Sequence, residues 1–403
     1  MKILASQLNI QWIWQDNNWP DFQYDAQAVI PILEQTVRSV SPLCALAKNL
    51  SQDKQLQLES EVLLDEALAS AKIEGEILNR ESVRSSIANK LGLGKKKEKD
   101  KNNQQKRASK SDEAYLDILL ESIRSIETPL TEKQLLKWHS MMFIDHPVLY
   151  DMIIGDYRNE SMSVVSGRFG KQATHFIAPC EKAVVKECVK KQMTAFFTWL
   201  NQRQEDKPAE SGYVRAAIAK LWFVTIHPLD DGNGRFSRII AEYCLAQTEA
   251  LPLRLYSISS QIEANRNEYY EILEATQRGN LDITCWIIWF LQQVDSAAQT
   301  AMILLNRINS LTQFWDQHRH TVFNSRQQKL LQRILEEGTF SDGISRKKYK
   351  KLVHTSDITA TRDLQDLVKK SVMKTKGAGR NVVYYFVHFE PDVVTLTRTL
   401  NSI

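Results

Sequence analysis

Twelve consecutive residues, His227 to Arg238, read HPLDDGNGRFSR and bring together a base, carboxylates, two glycines around an asparagine, and two arginines. Each of these types suits phosphate chemistry. The imidazole of His227, with an ordinary pKa of ~6.5, can take a proton at neutral pH. Gly232, Asn233 and Gly234 tolerate positive φ best, so the loop can curl and turn its N–H groups toward one point, a nest that favours an anion. Arg235 and Arg238, three apart, share a face of one helical turn and could hold successive phosphate groups through charge-assisted bonds. Asp231 offers a hard carboxylate oxygen of the kind Mg²⁺ accepts, an ion that takes one or two carboxylates and fills its shell with phosphate oxygens. A triphosphate with its metal fits this inventory.

Two elements must position these groups. The run from Ala216 to Ile226 lacks Gly and Pro and repeats apolar residues at helical spacing. It should end before Pro228, which disfavours the helical region for the residue ahead of it, so His227 is expected at a helix exit. From Arg235 the pattern is helical again, with Phe236, Ile239, Ile240 and Tyr243 on the apolar side. That places the glycine loop at a helix N-terminus, where the macrodipole also favours phosphate. The plainer reading makes His227 a helix cap and pairs the arginines with acids. Glu242, four residues past Arg238, is one such partner, worth a few tenths of a kcal/mol when exposed.

The stretch resembles the signature of Fic proteins, HxFx(D/E)GNGRxxR, with Leu229 standing where the family has Phe. The resemblance implies transfer of AMP from ATP onto a Ser, Thr or Tyr hydroxyl of a target protein. By position, His227 would be the general base and Asp231 the Mg²⁺ ligand at the α- and β-phosphates. Asn233, with the N–H groups of Gly232 and Gly234, would stabilise the α-phosphate; Arg235 would bind the β-phosphate and Arg238 the γ-phosphate. Residues 70 to 75, SAKIEG, resemble the family's (S/T)xxxE(G/N) inhibitory motif, within a helix expected from Glu61 to Leu78. Ser70 and Glu74 would then face Arg238, with Glu74 obstructing placement of the γ-phosphate. In some relatives that Glu supports removal of AMP instead, so a de-AMPylase is an open alternative. The family commonly dimerises, and a homodimer is expected.

Composition suits an intracellular enzyme: 403 residues, 43% of them apolar and 25% charged, suffice for two or three cores. A net charge of +4 is too small to imply nucleic acid by itself. Five cysteines, scattered and without CxxC spacing, argue against a disulfide framework or zinc site and read as small buried apolar residues. No charged-then-apolar leader opens the chain, and the longest strong apolar run is Cys285 to Leu291, so a cytoplasmic protein without membrane spans is expected.

The expected fold is mainly α: a helical Fic core with a small β-hairpin flap, plus a C-terminal winged helix-turn-helix domain. Residues 1–91 form an N-terminal helical domain whose WIWQ and WPDF clusters need burial, and which resembles the domain that precedes the core in a bacterial subset of the family. Residues 92–111 are a Lys-rich linker too polar to order itself. The core occupies 112–306. Within it, Gly155 to Pro179 holds two short extended candidates near Ser163 and Phe176, matching the place of the family's flap, which docks the target by strand addition. The adjoining GDYR, Gly155 to Arg158, also resembles the family pattern. Asn265 and Tyr270, in a helix expected over 261–277, are placed by resemblance at the adenine pocket. Residues 320–403 read as helix, helix, helix and a Gly-tipped hairpin, with ITATRDLQDLVKK resembling a winged-helix recognition helix capped by Thr359 or Thr361. If that module binds DNA, Thr359, Thr361, Arg362 and Arg380 are the expected contacts, since Lys and Arg outnumber acids there. Two functions stand: an adenylyltransferase using ATP and Mg²⁺, or a DNA-binding regulator whose core senses nucleotide.

Overall fold

A computed structural model describes residues 12–93, 110–145, 151–166, 173–180, 184–202, 211–337, 340, 342–377 and 382–387. The chain divides into two compact units, Met1–Met302 and Ile303–Ile403. The N-terminal helices and the motif lie in the first. Its elements are helices α1 Ala26–Lys48, α2 Gln52–Ile73, α3 Arg80–Lys90, α4 Lys110–Arg124 and α5 Glu132–Met142, then strands β1 Ser163–Ser166 and β2 Ala173–Ile177. Helices α6 Val185–Leu200, α7 Gly212–Ile226, α8 Asn233–Glu249, α9 Ile258–Ala264 and α10 Arg266–Gln277 follow, and α11 Thr284–Gln317 begins in this unit and ends in the second. This is the mainly helical architecture with a small antiparallel strand pair that the periodicity predicts.

Helix α7 is the axis of the unit. Every one of its residues is buried, as its largely apolar sequence favours, Arg215 and Lys220 included. Ser211 caps its start by accepting from the Tyr213 N–H, and α8 packs along it. Helix α2 stops earlier than the expected Leu78. Glu74 is its C-cap, Gly75 turns at φ +83°, and the Glu76 and Gly75 N–H groups close back on Ala71 and Lys72. This is a Schellman ending, and glycine at that position carries no Cβ penalty. The helix is anchored from within: fully buried Glu66 accepts from Ser257 Oγ at 2.7 Å and from the Ser259 N–H at 3.1 Å, at the start of α9. The expected helix over 261–277 is two, broken at Asn265.

The cysteine reading is corrected. Cys180 and Cys188 form a disulfide, with Cα atoms 5.6 Å apart, and Cys285 is exposed; Cys244 is buried as expected. The chain turns sharply at Cys180, φ +68°, after β2. A tertiary turn that brings two cysteines eight residues apart into bonding distance has no spacing signature in sequence.

The second unit contains α12 Ser325–Glu337, β3 Ile344–Ser345, α13 Arg346–Val353, α14 Asp357–Lys369, β4 Met373–Lys376 and β5 Val383–Phe386. Its sheet has the antiparallel order β3-β5-β4 over a core that includes Leu330, Tyr349, Leu364 and Leu367. Buried Asp363 knits three helices, accepting from Arg326 Nε at 2.7 Å and Tyr349 Oη at 3.1 Å. Ser356, not Thr359 or Thr361, caps α14: its hydroxyl accepts from the Thr359 N–H, while Thr361 Oγ1 turns back to the Asp357 carbonyl. Serine precedes the first helical residue, where an acceptor reaches the free N–H groups.

Candidate functional site

His227 leaves α7 with φ +52°, a left-handed cap whose N–H still bonds the Phe223 carbonyl. Its Nδ1 lies 3.2 Å from the Val224 carbonyl, which can only accept, so the proton sits on Nδ1 and Nε2 keeps its lone pair. Buried Arg158 fixes the cap: its Nε donates to the His227 carbonyl at 2.7 Å, its N–H to the Pro228 carbonyl at 3.0 Å, and its Nη2 to Pro179. Burial drives the His227 pKa down to about 4, with the Arg158 charge lowering it further against the pull of the Val224 carbonyl, Asp231 and Glu74. The base is therefore neutral at pH 7.

The loop after it closes on itself. Asn233 uses both ends of its amide on Leu229, accepting from the N–H at 3.0 Å and donating to the carbonyl at 2.7 Å. Its side chain locks the loop from within. Leu229 is fully buried. Gly232 takes φ +84° against the Phe143 ring, a conformation and a space that a side chain would not share. Asp231 accepts from the Gly232 N–H at 2.6 Å, and its side chain is 57% exposed. It thus keeps oxygen lone pairs toward solvent, which fits an ion that needs a single protein carboxylate. Among the described residues no group of three or more His, Cys, Asp or Glu could hold a metal.

Both motif arginines are engaged by the exit of α2. Arg238, 3% exposed, donates to Glu74 Oε1 at 2.7 Å and to Ser70 Oγ at 3.0 Å. Glu74 also lies against the first turn of α8: a Cβ on Gly234 would lie 2.6 Å from its Oε1, so the carboxylate in this position sits where any side chain there would displace it. Burial raises the Glu74 pKa, but the Arg238 charge and hydrogen bond, with Arg235 and Lys220 beyond, hold it below the ordinary value. Arg235 lies 3.5 Å from Glu76 and 4.0 Å from Asp231. The helical partner anticipated for Arg238 is occupied elsewhere, since Glu242 pairs with buried Arg254.

A cavity of about 560 Å³ opens beside these groups, lined by His227, Gly234, Arg238 and Glu74 at one end and by Val164, Phe176, Tyr269, Tyr270 and Gln277 around it. Tyr270 is among the residues that line it, and Asn265 is not. The break between α9 and α10 turns the Asn265 amide to Gln293 at 3.0 Å and to the Gln261 carbonyl. Tyr269 and Lys220 were missed. Lys220 is fully buried in α7, its Nζ 3.0 Å from Tyr269 Oη, and burial with the nearby Arg238 charge lowers its pKa to about 7. A lone lysine inside the apolar AAIAKLWFV run is the signal that could have flagged it. The hairpin pairs Ser163 with Ile177 and Ser166 with Ala173 around a bulge, and Val164 and Val165 are exposed. In the second unit Arg362 is exposed, and Arg380 lies outside the described residues.

Residues 12–93 match the model of a domain of unknown function, DUF4172, and residues 129–245 match that of the Fic/DOC family. Over 98 residues the chain is 34% identical to protein adenylyltransferase fic-1 of Caenorhabditis briggsae, a stretch that is 24% of this chain and 18% of that protein. The chain thus spans less than a fifth of that relative's length. Among solved structures, a Fic family protein from Desulfovibrio desulfuricans G20 is similar with a TM-score of 0.51 at 19% identity, covering 91% of this chain and 98% of that one. A Fic domain containing signaling protein from Bacteroides thetaiotaomicron VPI-5482 gives 0.48 at 17% identity, over 70% and 96% of the two chains.

Proposed function

We propose that this chain, which carries a Fic/DOC domain at residues 129–245, is a protein adenylyltransferase that uses ATP and is held at rest by Glu74. The observation that carries this reading is the Glu74–Arg238 pair, set over the N-terminal turn of α8 beside a neutral, half-buried His227. In the working state Glu74 withdraws, and the triphosphate takes its place along the helix N-terminus. Arg235 then receives the β-phosphate and Arg238 the γ-phosphate, with the base of the nucleotide against Tyr269 and Tyr270. The target hydroxyl gives its proton to His227 Nε2 as its oxygen bonds the α-phosphorus. The bond to the β-phosphate oxygen breaks, and pyrophosphate leaves. Asp231 would hold the Mg²⁺, whose part is to neutralise phosphate charge. Fixed N–H donors and arginines aimed at a transferring phosphoryl group supply most of such catalysis. The exposed β1 edge, with Val164 and Val165, suits an extended target segment added as a strand.

The test compares wild type, Glu74→Gly, and Glu74→Gly with His227→Ala, using Mg²⁺ and ATP labelled at the α-phosphate. Protein-bound label should rise in the single variant and vanish in the double. If label stays absent from all three while ATP binds, adenylyl transfer is wrong. The proposal includes a cytoplasmic homodimer; among the described residues no helix is long and apolar enough to cross a membrane.

A second reading belongs to residues 320–403. The element order of helix, strand, helix, helix and two strands supports a winged-helix reading, and exposed Arg362, Lys369 and Lys374 on and after α14 suit a phosphate backbone. Under this reading the unit binds duplex DNA and the core senses nucleotide. A mobility shift that weakens steeply with salt would support it, and no shift at low salt would remove it.

A further inference from the structure

The described chain begins with an aromatic strap that touches the back of the candidate site. Trp12 is 1% exposed and packs edge-on against Phe176 of β2, ring centroids 5.4 Å apart. Phe176 lines the cavity, and its ring centroid is 6.4 Å from that of His227. Trp14 donates its indole N–H to the Ile177 carbonyl at 2.7 Å, at the end of the same strand. On the outer side the Arg278 guanidinium lies 4.5 Å over the Trp12 ring and donates to the Thr174 carbonyl at 2.8 Å and to Glu274 at 2.9 Å. Glu274 in turn meets His175 at 2.8 Å.

The other end of the strap is fastened to rigid helices. Trp19 donates to Gln192 on α6 at 3.0 Å, Phe22 packs on Trp222 of α7, and the Gln23 N–H bonds the Leu281 carbonyl ahead of α11 at 2.8 Å. Trp12, Phe176 and Ala178 form a small core of their own. An isolated two-stranded hairpin is marginal in water and needs packing on another element to hold one geometry. Here the strap supplies it.

We propose that Trp12 is a positioning residue for the transfer reaction: through Phe176 it sets the wall against which the His227 ring stands, and with Trp14 it holds β2 so that β1 meets the target. This inference rests on the adenylyltransferase reading. It assigns a role to the first residues of the segment that matches the domain of unknown function. A wall displaced by an ångström is enough to cost up to about 100-fold in rate when the base must meet one proton. Removing Trp12 also opens the half-buried imidazole further to water, its charged neighbours being Arg158, Asp231 and Glu74.

The experiment uses the full chain in the Glu74→Gly background, with Mg²⁺ and α-labelled ATP. Trp12→Ala should lower kcat by about tenfold or more and leave the KM for ATP nearly unchanged. Trp12→Phe should restore most of the rate. The acid limb of the kcat profile should move up from near pH 4 in Trp12→Ala. A second readout needs no turnover: the His227 imidazole, followed by NMR as pH is varied, should titrate at higher pH in Trp12→Ala than in wild type. An unchanged kcat, a loss that Phe does not rescue, or an unmoved His227 titration would each overturn the proposal. If Glu74→Gly itself carries no label, the transfer reading fails and the imidazole titration alone decides whether Trp12 positions His227.

Discussion

The loop from His227 to Arg238 and the clamp that closes over it are built in opposite ways. The loop is held mostly by neighbours, Asn233 on Leu229, Gly232 on Asp231 and His227 on Val224, each within four residues in the chain, with Arg158 added at the His227 and Pro228 carbonyls. The clamp joins Arg238 to Glu74 and Ser70 across 164 and 168 residues. A contact made by the end of a distant helix can be released by moving that helix end, without dismantling the chemistry beneath it.

The largest expected effect breaks the loop's side of this contrast. His227→Ala should lower labelling in the Glu74→Gly background by about 10²–10⁴-fold, the usual contribution of a positioned base, measured with α-labelled ATP. The same residue gives a pH prediction. Because burial holds its pKa near 4, below the ~6.5 of the unfolded chain, the base works from about pH 4 upward. Between those values the unfolded state binds more protons than the folded one. Stability therefore rises with pH through that window and is lost as pH falls through it, which urea unfolding across pH 4 to 7 would show.

Breaking the clamp comes next. Glu74→Gln keeps the shape and removes the charge, and hydrogen bonds to charged groups are worth about 1.5–3 kcal/mol. ATP affinity by calorimetry should rise by about tenfold or more; unchanged affinity would mean that Glu74 does not compete with the triphosphate. Asn233→Ala should cost about 1–3 kcal/mol of stability by leaving the buried Leu229 N–H and carbonyl unpaired, read as a lower melting temperature. The smallest effect is Glu76→Gln. Its pair with Arg235 is half exposed, so ATP affinity should rise only a few-fold, within the ~1 kcal/mol of an exposed ion pair.

The divide between loop and clamp also separates what was legible in the chain. The end of helix α7 is readable to the residue because its apolar run stops ahead of a proline, and both hairpin strands fall near the expected Ser163 and Phe176. Asn265 is placed at the pocket by resemblance, and the helix break at that residue, which the periodicity does not show, turns its amide to Gln293. Glu74 was read inside a helix that Gly75 ends. Arg158, Lys220 and Tyr269 gave only faint signals, since each acts by contact with residues distant in sequence.

By itself the sequence determined the loop, its helix, its base and its paired arginines, because those depend on backbone freedom and on side chains within one or two turns. It also pointed to Glu74 as the opponent of Arg238, through the SAKIEG resemblance. Only the tertiary structure decided that Glu74 lies over Gly234, that Arg158 holds the His227 carbonyl, that Cys180 meets Cys188, and that Trp12 backs Phe176. Each of those pairs is made when packing brings separate segments together, and no periodicity along one segment encodes the distance to another.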